Sequence, residues 1–316
     1  MKTIGKYLKE FWKNDYNRNF YIYSVLFVAI CTFLNYKFDL KTSVLDADKR
    51  NNFNLLGYTL FYAVAYYGIA VPRMFITGDK TELKNYGFWA KSFLFVFLTA
   101  LVSAFNFQYK IIESFESMYE RQYMNYIFFY LKRPAVLLIP LIILKLTIDF
   151  KTQGLYGLHL RNLNLKPYFT LLAFMIPLII AASFMPDFLR TYPKFKSWTL
   201  SEQVFELPNW LAGLFFELTY GIDFVFVELL FRGMFVIGLA SLVDRKAVMP
   251  AAATYVFLHF GKPVGEAISS FFGGYILGVI ALYTRTIFGG VIIHLGIAYS
   301  MEITAYLQHA FKMNNS

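Results

Sequence analysis

Seven ionisable side chains lie within apolar sequence in the second half of the chain: Glu217, Asp223, Glu228, Arg232, His259, His294 and Glu302. These residue types can carry acid–base chemistry. A carboxylate can take a proton from water, an imidazole can share that work, and a charged or hydrogen-bonding group can stabilise an oxyanion. A charge at bilayer depth costs at least ~2.5–3.5 kcal/mol on insertion scales, so each needs a partner, a cavity or a function. Glu228 and Arg232 are four residues apart and share a helix face, where they can form a charge-assisted pair that also fixes the helix. His259 ends an alanine-rich stretch, Ala251-Ala252-Ala253, and His294 follows Gly289-Gly290. Small residues of this kind let helices approach closely. Either imidazole alone also reads as a hydrogen-bonded core residue. Two of the four histidines near a carboxylate–arginine helix read as a candidate constellation. His159 and His309 receive no role. Two histidines and a carboxylate could ligate a divalent metal. No H-E-x-x-H occurs and the histidines fall on different helices. No cofactor is expected, and metal use stays open.

The surroundings define the solvent. Of 316 residues, 58% are apolar and 16% charged, with a net charge of +10 and 20% aromatics. Soluble domains average about 45–50% apolar and 25% charged. So few charges cannot solvate so much apolar surface, and the chain belongs in a bilayer. A disordered chain, a collagen-like fibre and a disulfide scaffold are excluded. The single Cys31 can form neither an internal disulfide nor a Cys-based zinc site. The basic excess sits beside apolar spans, where it meets anionic headgroups and sets orientation. No basic stripe interleaves with exposed aromatics, so nucleic acid is not an expected partner.

Residues 1–19 carry Lys2, Lys6, Lys9, Lys13 and Arg18 ahead of an apolar run that lacks a small-residue cleavage site. This reads as a retained first span behind a basic cytoplasmic segment. Candidate spans are 21–36, 55–71, 88–106, 126–148, 168–184, 209–242, 248–260, 267–283 and 287–307. Strand-like alternation is absent, which excludes a β-barrel. The expected fold is all-α, a polytopic transmembrane helical bundle of eight or nine spans. The uncharged runs 21–36, 55–71 and 168–184 are expected to face lipid. Lys132-Arg133-Pro134 suggests an interfacial or re-entrant start to 126–148, and 209–242 must tilt or break near Arg232-Gly233. The divisions are a basic segment (1–19), N-terminal transmembrane helices (20–150) and a polar-studded membrane core (151–316). The expected location is an integral membrane position, in a bacterial plasma membrane, with the N-terminus cytoplasmic.

Three ordered segments resemble the CPBP family of intramembrane proteases, also called the Abi or type II CAAX endopeptidase family. Its motifs are E-E-x-x-x-R, F-x-x-x-H and H-x-x-x-N. The corresponding residues here are Val227-Glu228-Leu229-Leu230-Phe231-Arg232, Tyr255-Val256-Phe257-Leu258-His259 and His294-Leu295-Gly296-Ile297-Ala298. Gly273 to Gly278, Tyr283 to Thr286 and the Gly157-Leu158 loop also resemble the family, and the likeness is strongest over about 205–300. The resemblance implies a helical membrane core that hydrolyses peptide bonds near the membrane. It assigns water activation to the first glutamate with the second-motif histidine, pairing with arginine to the second glutamate, and oxyanion stabilisation to the third-motif histidine and asparagine. Glu228, Arg232, His259 and His294 occupy four of these positions. Val227 replaces the first glutamate and Ala298 the asparagine.

Adjacent helical residues point about 100° apart, so Glu228 cannot take the place of a residue-227 carboxylate without helix rotation. Asp223 lies four residues before Val227, on the same face and about 5.4 Å along the axis, and is the better-placed substitute. Loss of an oxyanion donor costs ~10²–10³ in rate, and loss of a general base ~10²–10⁴ more. The expectation is therefore a family-type endopeptidase of very weak activity, with Asp223 or Glu228 as base. The alternative is a catalytically degenerate relative acting as a membrane scaffold, sensor or immunity protein. Partners are membrane lipids and a membrane-associated peptide or protein. A third class, a transporter or channel using Glu217, Asp223 and Glu302, lacks the inverted repeat such folds carry.

Overall fold

The computed structural model describes residues 2–47, 53–150, 154–160, 164–196 and 204–314. Among these, regular structure is helical, apart from one isolated bridge between Leu155 and Leu158. The helices are α1 (Lys2–Asp15), α2 (Arg18–Phe38), α3 (Leu55–Ile76), α4 (Tyr86–Ala104), α5 (Gln108–Ile112), α6 (Met118–Thr147) and α7 (Lys166–Ala182). They continue with α8 (Pro186–Thr191), α9 (Asn209–Glu228), α10 (Leu239–Val243), α11 (Val248–His259), α12 (Val264–Thr284) and α13 (Phe288–Asn314). The linkers supply the start signals. Asn17, Asn54 and Asn85 each accept the backbone N–H three residues on, at 3.0 Å, satisfying an otherwise orphaned donor at the N-termini of α2, α3 and α4.

Among the described residues, seven helical runs are long and apolar enough to cross a membrane, against the eight or nine spans expected. The difference has two sources. The 168–184 candidate is α7, whose 17 residues extend about 26 Å, short of a ~30 Å hydrocarbon core. The candidates at 209–242 and 248–260 belong to one helical run, Asn209–His259. That run folds back on itself at Asp244, which adopts φ 48° and ψ −131°. The Arg232 guanidinium consequently lies 4.5 Å from the Tyr255 ring, where a straight helix would hold the two about 35 Å apart.

Two local expectations are resolved. The 126–148 candidate is not re-entrant: residues 126–147 lie within the continuous helix α6, which passes through Pro134 and Pro140 and is capped at Ile148. Its buried Arg133 pairs with Asp223 of α9, so the charge is compensated between helices and the helix can continue. The break offered as one alternative near Arg232-Gly233 does not occur: Leu229–Gly238 is a π-helical stretch in which the helix widens and continues.

One hydrophobic core links α2, α3 and α4 to the π stretch and α11, through Phe20, Tyr62, Phe95, Phe235 and Val256 among others. On α3 the division between faces is sharp: Tyr58, Tyr62 and Tyr66 are buried while Leu56, Leu60 and Val64 point outward. Lys91 of α4 anchors the end of the π stretch. Its Nζ donates to the Gly238 carbonyl at 2.7 Å and pairs with Asp149 at 2.6 Å. The Tyr156 hydroxyl donates to the same Asp149 oxygen. The loop that carries Tyr156 runs against the π stretch through Gly157. A φ of +84° and side-chain space already filled by Ile237 both favour glycine there. The Gly157 carbonyl accepts the Ile287 N–H at 3.0 Å, tying this loop to the start of α13.

Candidate functional site

The π stretch, α11 and α13 converge on a buried ring of four side chains. Glu228, wholly inaccessible, closes α9. Its Oε1 lies 3.0 Å from Arg232 Nη1 and 2.8 Å from His294 Nδ1. The Arg232 contact is an ion pair, and neither contact has the alignment of a hydrogen bond. The other imidazole nitrogen, Nε2, is 2.9 Å from the Tyr255 hydroxyl. The ring closes where the Arg232 guanidinium packs over the Tyr255 face, a cation–π contact at 4.5 Å. Arg232 Nη2 also donates to the Gly273 carbonyl of α12 at 3.3 Å.

Gly290 makes this convergence possible. A Cβ at that position would collide with the Glu228 carboxylate, so the α13 backbone can reach it only through glycine. The same approach shields Glu228 Oε2, which is buried and has no hydrogen-bond partner.

Of the five sequence-assigned site residues, Glu228, Arg232 and His294 are brought into direct contact. His259 sits one turn beyond Tyr255 on α11, with ring centroids 4.4 Å apart. Its Nδ1 is 2.9 Å from the Tyr255 backbone carbonyl. A carbonyl only accepts, so Nδ1 carries the proton there. Asp223 is held elsewhere: the Arg133 guanidinium donates to its Oδ1, and both residues are buried. Val227 is 7% exposed and belongs to the main hydrophobic core. Ala298 is 1% exposed and packs with Phe216 and Tyr220. Among the described residues, no three His, Cys, Asp or Glu side chains gather as metal ligands.

Two participants carried no role in the sequence reading. Tyr255 stands where the resembled pattern has phenylalanine, and a buried phenol generally finds a hydrogen-bond partner. That added hydroxyl was the available signal. Arg133 was visible only as an oddity inside an apolar run, because its partner lies 90 residues away in the chain.

In this arrangement both nitrogens of His294 face protein groups, and both oxygens of Glu228 are enclosed. The ring can hold three helices in register and keep a charge pair inside the membrane domain. Neither a curated protein nor a solved structure matches the chain. Over residues 207–300, the segment that supplies Glu228, Arg232, Tyr255, His259 and His294, the chain matches the family described as Rce1-like, type II CAAX prenyl endopeptidase Rce1-like.

Proposed function

We propose that this chain is a non-hydrolytic relative of the CAAX-type membrane endopeptidases, acting by binding a membrane-associated peptide or protein. One observation carries the reading. The position that the family resemblance assigns to the water-activating glutamate is Val227, buried in apolar core, and the neighbouring Glu228 is committed to Arg232 and His294. A general base must reach its proton within hydrogen-bond distance, and neither residue offers such a base. Asp223 is engaged by Arg133 and so is not free to substitute. Ala298 removes the second oxyanion donor of the third motif.

The rival reading is slow peptide-bond hydrolysis, and a specific feature favours it: Nδ1 of His259 is bound, which leaves Nε2 as the nitrogen able to meet a water. The two readings separate in one assay. Purified protein in nanodiscs is incubated with prenylated and unprenylated membrane-tethered peptides, beside His259→Ala and Val227→Glu/Ala298→Asn variants. The proposal expects the native chain and His259→Ala to be indistinguishable from protein-free controls. Turnover by the native chain that His259→Ala abolishes overturns it in favour of an enzyme.

A further inference from the structure

The basic N-terminal segment forms a helix with two distinct faces. Ile4, Leu8, Phe11 and Asp15 fall on one side, spaced at helical period, and Ile4, Phe11 and Asp15 are buried. That face straps α1 across α12. Tyr7 stacks on Tyr283 at 5.0 Å, Phe11 meets Tyr275 edge-on at 5.6 Å, and Ile4 joins Tyr168, Leu277 and Ile280. Asp15 locks the end of the strap, accepting from Arg73 at 2.7 Å and from the Tyr21 hydroxyl at 2.9 Å.

Lys6, Lys9 and Lys13 occupy the opposite face, all exposed, and with Trp12 and Tyr16 they form a short basic stripe beside exposed aromatics, contrary to the sequence expectation of none. Among the described residues none of the three has a carboxylate partner, and Glu10 is the one acid exposed along the helix. A solvated charge face would account for the lysines alone. It does not account for Trp12, which is 48% exposed on the flank of the helix and stacked on the equally exposed Tyr16 at 4.4 Å. Exposed Trp and Tyr pairs beside a span are features of the headgroup level. Only Tyr16 and Asn17 separate α1 from α2, the first apolar helix long enough to cross a membrane. The strap therefore cannot leave the interface.

We infer that the outer face of α1 is a docking surface for anionic phospholipid headgroups of the membrane the chain spans. Lys6, Lys9 and Lys13 supply the charge and Trp12 with Tyr16 the depth anchor. The inference rests on membrane insertion and is independent of catalytic state. A lysine near an anionic surface contributes a factor of about 5 in local affinity, so three contribute about 100-fold.

The test uses the full chain in nanodiscs of phosphatidylcholine alone or mixed with phosphatidylglycerol, read by amide hydrogen exchange across α1. Exchange in the native chain is expected to slow by about 100-fold in the anionic discs, and the slowing to fade with added salt. Lys6→Gln/Lys9→Gln/Lys13→Gln should exchange alike in both lipids while exchange in α3 and α4 stays unchanged, which shows that the variant is folded. Equal α1 protection of the native chain in the two lipids overturns the inference. So does lipid-dependent protection that survives the triple substitution.

Discussion

If the Glu228–Arg232–His294–Tyr255 ring is structural, removing one charge must expose the cost of burying the other. Glu228→Leu leaves the Arg232 guanidinium, 2% exposed, without its carboxylate and His294 without its Nδ1 partner. Breaking a buried ion pair from one side costs about 3–5 kcal/mol, most of it the uncompensated charge. Arg232→Met should fall at the lower end of that range, because Glu228 keeps His294. The double variant Glu228→Leu/Arg232→Met removes both charges and fills the space with apolar atoms, which is often neutral or stabilising. Its loss is expected at no more than about 1–2 kcal/mol, against about 6–8 if the single losses simply added, a large coupling for residues in contact. Reversible unfolding in mixed detergent micelles, followed by circular dichroism, gives all four free energies. In a hydrated catalytic cavity water would solvate the orphaned guanidinium, and each single loss would drop below about 1 kcal/mol. Single losses that small, or a double loss equal to their sum, would falsify the structural role assigned to the ring.

Two glycines in the same region should respond in opposite ways. Gly290→Ala forces a methyl group into the Glu228 carboxylate and should cost about 1–3 kcal/mol in the same unfolding assay. Gly273→Ala meets nothing within 4 Å and should be neutral or stabilising by up to about 1 kcal/mol. A separate expectation concerns the linker between α3 and α4. Lys246 hydrogen-bonds the Asp79 carboxylate at 2.5 Å and, with Thr81, holds its pKa down to about 2. A depressed carboxylate adds stability above its unfolded value, lost as pH falls through the folded one. The Asp79→Asn difference in unfolding midpoint should therefore be constant from neutral pH down to about 4 and shrink only below it; a difference that changes around neutrality contradicts the assignment.

The membrane solvent, the all-helical class and the three motif segments follow from the sequence because each depends on local quantities: composition, apolar run length and short spacings. The Glu228–Arg232 pair was legible for the same reason, since four residues is one helical turn. The long apolar stretch after Asn209 already demanded either a strong tilt or a break, because it is too long for one perpendicular span, and the structure answers with a π-helical stretch and the turn at Asp244. Span number was less accessible. The polar corner Asp244-Arg245-Lys246 already divides the 209–242 and 248–260 candidates in the sequence, but only the structure shows one helical run turning through it, and α7, at 17 residues, sits at the short limit for a span.

What only the tertiary structure decided is which polar groups answer one another. Asp223 shares a helix face with Val227, and the sequence therefore made it a substitute base. Its partner is Arg133 on α6, a contact between distant segments that local spacing cannot encode. His294 meets Glu228 through the glycine gap at Gly290, and Tyr255 completes the ring from a third helix. A buried charge takes its character from the group placed within about 3 Å of it, since low dielectric makes that contact dominate. The residue types set out the candidates for chemistry, but packing determined that Glu228, Arg232 and His294 are spent on one another and Asp223 on Arg133.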